Sequence, residues 1–220
     1  MEGNGRRTEM VVFENLTESI FQGNESKVRE IVEQSIKRNV SVKDILYNGL
    51  IESMNMIGVK FKNGEFFIPE VLRAAKAMKA GIEVIRPLFD KSGVEPLGKV
   101  VIGTVKGDLH DIGKNLVSMM VEGSGFEVID IGISAPPEKF VESVKASGAK
   151  LCMMSALLTT TMPAMKTTIE ALQKAGLRGM VKTMVGGAPV TQKFANDIGA
   201  DGYGSNAADA VEVAKRLIMG

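Results

Sequence analysis

Up to about residue 90 the apolar positions recur every three or four residues; from residue 99 they gather into short solid blocks. The first pattern is that of amphipathic helices. Val71, Leu72, Ala75, Met78 and Ile82 form one apolar stripe within EVLRAAKAMKAGIEVIRPLF, a helix that Pro69 opens and Pro87 closes. Asn24 is a suitable N-cap for ESKVREIVEQSIKRN, and Ser41 with Asp44 forms an acidic capping box ahead of VKDILYNGLIESMNMIGVKF. With a further segment at about 10–22 this makes four helices, enough for a small bundle. The Gly- and Pro-containing stretch KSGVEPLG, residues 91–98, reads as a linker between a domain at 1–90 and another at 99–220.

In the second half, KVVIGTV, FEVIDIGI, AKLCMMSA and VKTMVGG are apolar, β-branched runs. Each is followed by a helix-compatible stretch, at about 112–123, 137–147, 162–175 and 190–198, and a short strand, DGYG, precedes ADAVEVAKRLIMG. Apolar strands alternating with amphipathic helices predict a doubly wound, five-stranded parallel sheet of flavodoxin-like type. The expected fold class is therefore α + α/β, a four-helix bundle followed by that sheet. Such sheets bind ligands beyond the carboxyl ends of their strands, so the loops after each strand carry the interest.

Composition narrows the partners. Charged residues make up 24% of the chain and the formal net charge is +1, with no long basic run. Neither nucleic acid nor an anionic membrane is expected as a partner. No window reaches the roughly 18 apolar residues of a membrane helix, and MEGNGRRTEM lacks the apolar core of a signal peptide. The expectation is a cytoplasmic protein. A single cysteine, Cys152, excludes an intrachain disulfide and a Cys-rich zinc site; its apolar setting reads as strand core. The 14 methionines include Met54, Met56 and Met78 in helical patterns, read as flexible core filling or as a soft surface for a bulky ligand.

After the first predicted strand comes Gly107-Asp108-Leu109-His110-Asp111-Ile112-Gly113-Lys114-Asn115. Glycines and a Gly-Lys pair suggest a phosphate loop, but the glycine spacing is wrong and Asn115 stands where magnesium would need Ser or Thr. A metal site is the other reading. A neutral imidazole nitrogen ligates a transition metal while its other ring N–H needs an acceptor, which Asp108 can supply. Gly107 and Gly113 would let backbone approach a large flat ligand. With no further His or Cys cluster, one protein nitrogen suits a metal already held by a macrocycle; a merely structural His–Asp pair stays open at this level.

Asp108-x-His110-x-x-Gly113, then Ser155-x-Leu157, then Gly186-Gly187 resemble, in order and spacing, the signature of B12-binding domains. Phe61-Lys-Asn-Gly64-Glu-Phe-Phe67-Ile68-Pro69-Glu70-Val71, followed by AAKAMKAG, resembles the helical cap that precedes this domain in cobalamin-dependent methionine synthase and in the methyltransferase corrinoid proteins. The resemblance spans roughly residues 15–218. It implies a corrinoid cofactor (cobalamin or methylcobalamin) bound base-off/His-on, with His110 as the lower ligand of cobalt and Asp108 as its hydrogen-bond partner. Thr161 aligns with the hydroxyl residue that ends the family's relay, where methionine synthase has serine. Gly107, Asp111, Ile112 and Gly113 belong to the same cofactor loop. Ser155, Leu157 and Thr159 would line the slot for the nucleotide tail, Gly186 and Gly187 would admit its base, and Tyr203 would lie near it. Phe61, Ile68 and Val71 match the cap's contact residues; bundle core is their alternative reading.

By the same resemblance the chain is a methyl carrier of one-carbon metabolism, cycling between Co(I) and methyl-Co(III). It would accept a methyl group from a substrate:corrinoid methyltransferase and pass it to a methylcorrinoid:pterin or thiol methyltransferase, with a reductive activase as a third partner. The donor, whether a methylamine, methanol, a betaine or an aryl methyl ether, would be chosen by the partner. No convincing nucleophile–base pair is present, so the chain is expected to be a non-catalytic subunit of a methyltransferase system. Two other functions share a bundle and a B12 domain: a cobalamin-based light or redox sensor, which usually carries a cap Trp absent here, and the B12 subunit of an adenosylcobalamin mutase.

Overall fold

The computed structural model describes the backbone of residues 2–220 and the side chains of residues 12–220 other than residue 90, so what was read from the first ten residues lies outside the described side chains. The chain divides into two compact units. One comprises residues 1–95 with 123–125, the other 96–122 with 126–220.

The first unit is helical. Helix α1 spans Glu2–Phe21, starting well before residue 10, and buries Leu16 and Ile20. Helix α2, Glu25–Lys37, is capped as expected: the Asn24 side chain accepts the Lys27 N–H at 3.0 Å. Val28, Ile31, Val32 and Ser35 form its buried face. Ser41 caps the next stretch by accepting the Asp44 N–H and donating to the Asp44 carboxylate. That stretch is not one helix. A turn of α3 (Val42–Asp44) opens into a π-helical segment, Ile45–Ile51, before α4 (Glu52–Lys62) resumes. The wider winding buries Ile45, Leu46, Gly49, Leu50 and Ile51 together, which periodicity read at 3.6 residues per turn does not reveal. It also carries Tyr47, whose hydroxyl donates to the Glu95 carbonyl at 3.1 Å. Helix α5, Ile68–Ile85, has Pro69 in its first turn, and the Phe67 N–H is accepted by Glu70. A 3₁₀ turn at Arg86–Leu88 and a short α6, Phe89–Ser92, run into the start of the expected linker.

The second unit alternates strand and helix: β1 Lys99–Thr104, α7 Ile112–Gly123, β2 Glu127–Asp130, α8 Pro137–Ser147, β3 Leu151–Ser155, α9 Pro163–Lys174, β4 Lys182–Gly186, α10 Gln192–Asp197, β5 Gly202–Gly204 and α11 Ala207–Met219. All strand pairs are parallel, in the order β2-β1-β3-β4-β5. Alternate residues feed the two faces. Val101, Cys152, Met154 and Val185 join one core with Phe140 and Val144 of α8 and Met165, Ile169 and Leu172 of α9. On the other face α11 lies against β3, β4 and β5. Cys152 is strand core as read, and burial raises its thiol pKa to about 12.

In this strand order the sheet reverses direction between β1 and β3, so the loops after these two strands part to opposite faces and leave a crevice. That crevice is where the sequence places Asp108 and His110 on one side and Ser155 to Thr161 on the other.

Candidate corrinoid site

The loop after β1 begins with a tight turn. The Asp108 N–H donates to the Val105 carbonyl at 3.1 Å, and Gly107 takes φ +84°, the pattern of a type II turn with glycine at its third position. The turn drives the Asp108 side chain inward, to 0% exposure, and leaves His110 half-exposed. Asp108 Oδ1 accepts the His110 N–H at 3.1 Å and meets His110 Nδ1 at 2.7 Å. Asp108 Oδ2 reaches across the crevice, accepting N–H groups of Leu157 (2.8 Å) and Leu158 (3.2 Å) and the Thr161 hydroxyl (2.7 Å). Burial pushes the Asp108 pKa up. The bonds from Thr161, Leu157 and His110 outweigh it and hold the carboxyl well below the usual carboxylate range. Asp108 is therefore an anion enclosed by donors.

With Nδ1 committed to Asp108, the His110 ring offers Nε2, which has no partner among the described residues. Beyond the carboxyl ends of the strands the chain also leaves apolar side chains exposed: Leu109 (65% exposed) in the His110 loop, Ile112 (73%) at the start of α7, Ile133 after β2, and Leu157 and Leu158 after β3. A Cβ at Gly113 would touch no protein atom within 4 Å, and its φ is not in the left-handed region, so neither packing nor backbone conformation demands glycine there. Among the described residues no three His, Cys, Asp or Glu side chains cluster as metal ligands. As a single donor, His110 suits a metal that brings its other ligands with it. A flat macrocycle with apolar faces fits this donor set.

The remaining site residues of this unit also lie at carboxyl strand ends. Ser155 ends β3, its carbonyl accepting the Val105 N–H at 3.0 Å, and Thr159 is exposed in the β3–α9 loop. Gly186 ends β4. Gly187, at φ +128°, packs so closely that a Cβ would lie 1.9 Å from the Ala156 carbonyl oxygen; the fold itself requires that glycine. Tyr203 is half-buried in β5 against the sheet core. Asp111 accepts from the Asn115 side chain at 3.1 Å at the start of α7. In the helical unit Ile68 is exposed and Phe61 half-buried. Val71 departs from the expected contact set: it is fully buried, on the same stripe of α5 as Ala74, Ala75, Met78 and Ile82, and so behaves as core. The exposed apolar surface at the start of α5 is Phe67 and Ile68 instead.

Three features were absent from the sequence reading. The N–H groups of Leu157 and Leu158 serve Asp108, which only the fold reveals. Lys114 is buried and ion-paired to Asp130, and donates to Asn115 Oδ1 at 2.7 Å. That spent ammonium is a second reason against a phosphate loop. Ser134, after β2, grips the His110 loop: its hydroxyl accepts the Gly107 N–H at 3.0 Å and its N–H donates to the Asp108 carbonyl at 2.9 Å. The Asp130-x-Gly132 turn was a readable signal for the first of these side chains; nothing marked Ser134.

Comparison with known proteins gives the family. Family models described as B12 binding domain match residues 98–212 and, for the helical unit, residues 12–86. The chain belongs to the B12-binding family and, within it, to the corrinoid proteins. It is 43% identical over 213 residues to dimethylamine corrinoid protein 2 of Methanosarcina mazei, covering 96% of this chain and 99% of that protein. Among solved structures it is similar to a cobalamin-binding protein from Desulfitobacterium hafniense DCB-2 (TM-score 0.78, 31% identity, 94% of this chain and 98% of that one). It is also similar to a chain of the methanol:cobalamin methyltransferase complex MtaBC from Methanosarcina barkeri (TM-score 0.84, 31% identity, 95% and 80%). No helix of the described residues is long and apolar enough to cross a membrane.

Proposed function

We propose that the chain is a methyl carrier that holds its corrinoid base-off/His-on through Nε2 of His110. The observation that carries this reading is the enclosed, ionised Asp108, which fixes the His110 ring by Nδ1 and points the other nitrogen outward beside exposed apolar side chains. A bound corrinoid supplies a cobalt able to take up and give away a methyl group. The chain's own residues do the rest. Asp108 sets the tautomer and the orientation of the ligating ring. When His110 is not ligating, its imidazole can hold a proton at Nε2 with Asp108 as counter-charge, and Thr161 with the Leu157 and Leu158 N–H groups keeps that charge in place. Gly107, Asp111, Ile112 and Gly113 would border the macrocycle; Ser155, Leu157, Thr159, Gly186, Gly187 and Tyr203 would border the nucleotide tail. Phe61 and Ile68, joined by Phe67, would be the apolar contacts of the helical unit.

The partners follow from the same reading. A substrate-specific methyltransferase would load the methyl group, a pterin or thiol methyltransferase would remove it, and a reductive activase would rescue oxidised cobalt. The relatives' names make a methylamine or methanol the first donors to try. The test is reconstitution with methylcobalamin, absorption spectroscopy, and demethylation by such partners. Wild type should show the His-on spectrum and His110→Gly a base-off, His-off one. A His-on spectrum in His110→Gly overturns the assignment, and selective binding of adenosylcobalamin overturns the carrier.

A further inference from the structure

The loop that carries His110 is anchored at both ends by one neighbouring segment, Asp130 to Ser134 after β2. At the entry, the Ser134 hydroxyl and N–H bind Gly107 and Asp108, the two residues that turn the chain toward the crevice. At the exit, Asp130 pairs with Lys114 in the first turns of α7, and Lys114 is 3% exposed. Asp130 is itself fixed, accepting the Gly132 N–H at 2.8 Å.

Ser134 makes its bonds from an unfavourable conformation. Its φ is +47°, and among the described residues the other non-glycine with positive φ is Asn39. Serine rarely adopts this region, and a residue held there persists only when its surroundings over-determine it. Here the over-determination is visible: the strained φ aims both the hydroxyl and the N–H at the turn preceding His110. Fold stability alone would favour glycine, which adopts this φ freely but has no hydroxyl to offer Gly107.

We propose that Ser134 and Asp130 are positioning residues for His110, holding the two ends of its loop so that Nε2 keeps the place and direction that cobalt ligation needs. The inference rests on His110 being the lower ligand. Both act through others: Ser134 through the backbone of Gly107 and Asp108, Asp130 through the Lys114 side chain. Their effect is on how much of the loop's conformational freedom is already lost before the ligand binds, and ligation is sensitive to displacements of a fraction of an ångström.

The test uses the full chain, uniformly labelled with nitrogen-15 and loaded with unlabelled cob(II)alamin, so that an axial protein nitrogen splits the electron paramagnetic resonance lines into doublets and the cofactor's own base splits them into triplets. The readout is the ratio of protein-nitrogen-ligated cobalt to all other cobalt, with the melting temperature of the cofactor-free protein measured beside it. Ser134→Ala and Ser134→Gly should each lower that ratio about fivefold, the effect of one lost hydrogen bond, and Asp130→Asn, which removes the counter-charge of buried Lys114, should lower it at least as much. Ser134→Gly should do so while melting no lower than wild type, because it relieves the strained φ. Ser134→Asn, which tolerates the left-handed region and retains a side-chain acceptor, should keep the wild-type ratio. Wild-type ratios in Ser134→Ala, Ser134→Gly and Asp130→Asn overturn the proposal. His110→Gly is the separate control: a nitrogen-15 doublet that survives in it overturns the ligand assignment itself, independently of Ser134.

Discussion

The two units of the chain use the same apolar residues under different rules. In the helical unit Ile20, Val28, Val32, Ile45, Leu50, Ile57, Met78 and Ile85 fill the interior, and the apolar side chains left exposed include Phe67 and Ile68 at the start of α5. In the α/β unit the strands are filled just as tightly, yet beyond their carboxyl ends Leu109, Ile133, Leu157 and Leu158 in loops and Ile112 at the start of α7 stay exposed. Apolar residues on strands therefore report the fold, and those on loops report the ligand. The same division runs through the glycines. Gly187 is needed by the backbone, whereas Gly113 is needed by nothing in the protein.

The sharpest way to break that comparison is Gly187→Ala. A methyl group would lie 1.9 Å from the Ala156 carbonyl oxygen, and φ +128° is strained for any side chain. Because backbone on both sides must move, the loss should be at least about 3 kcal/mol in chemical denaturation. Leu50→Ala comes next. Leu50 is 0% exposed in the π-helical segment, and removing it should cost about 2–5 kcal/mol. The His-on spectrum of the loaded protein should survive it, because the residue belongs to the other unit. Loss of the spectrum without unfolding would show that the units are coupled more closely than their separate cores suggest.

Asp108→Asn should cost less stability, about 1–3 kcal/mol, and much more function. The amide cannot accept from every donor that surrounds the carboxylate, and it leaves His110 without its anion. Proton uptake on demethylation, measured with an indicator dye, should be strongly reduced; equal uptake by wild type and variant would count against the relay. The pH dependence has a definite sign. The folded-state pKa of Asp108 lies below its unfolded value, so its contribution is complete above about pH 4 and disappears as the pH falls further, through the folded pKa. Acid titration of the cofactor-free protein should therefore show a shallower loss of stability in Asp108→Asn than in wild type.

Much of this was legible in the sequence, and the reasons differ by region. The strands of the α/β unit are solid apolar runs, so all five were found along with the helices between them, four within two residues at each end and β2 ending three residues before its apolar run does, at Asp130. His110 and Asp108 were legible as an imidazole and its acceptor two residues apart in the loop after the first strand, whereas Thr161 came only from the resemblance to B12-binding domains. The π-helical segment was not, because 45, 46, 49 and 50 fit an ordinary helical stripe equally well. Val71 was ambiguous for the same reason: helical spacing cannot tell a stripe that faces the core from one that faces a ligand. Ser134 was invisible because its role lies in a dihedral angle and in two bonds across 27 residues.

The smallest expected effect is the most discriminating. Gly113 sits in the first turn of α7, where a Cβ meets nothing within 4 Å. Alanine has the better helix propensity and restricts the unfolded chain, so Gly113→Ala should raise the stability of the cofactor-free protein by about 0.5–1 kcal/mol. If the glycine is there to let a macrocycle approach the backbone, the same methyl group should weaken corrinoid retention, read by spectrophotometric titration with hydroxocobalamin. A variant that is both more stable and a weaker binder would separate the ligand's requirement from the fold's at a single carbon atom. A variant that is more stable and binds as tightly as wild type would remove Gly113 from the site and leave His110, Asp108 and the surrounding apolar side chains to account for the cofactor alone.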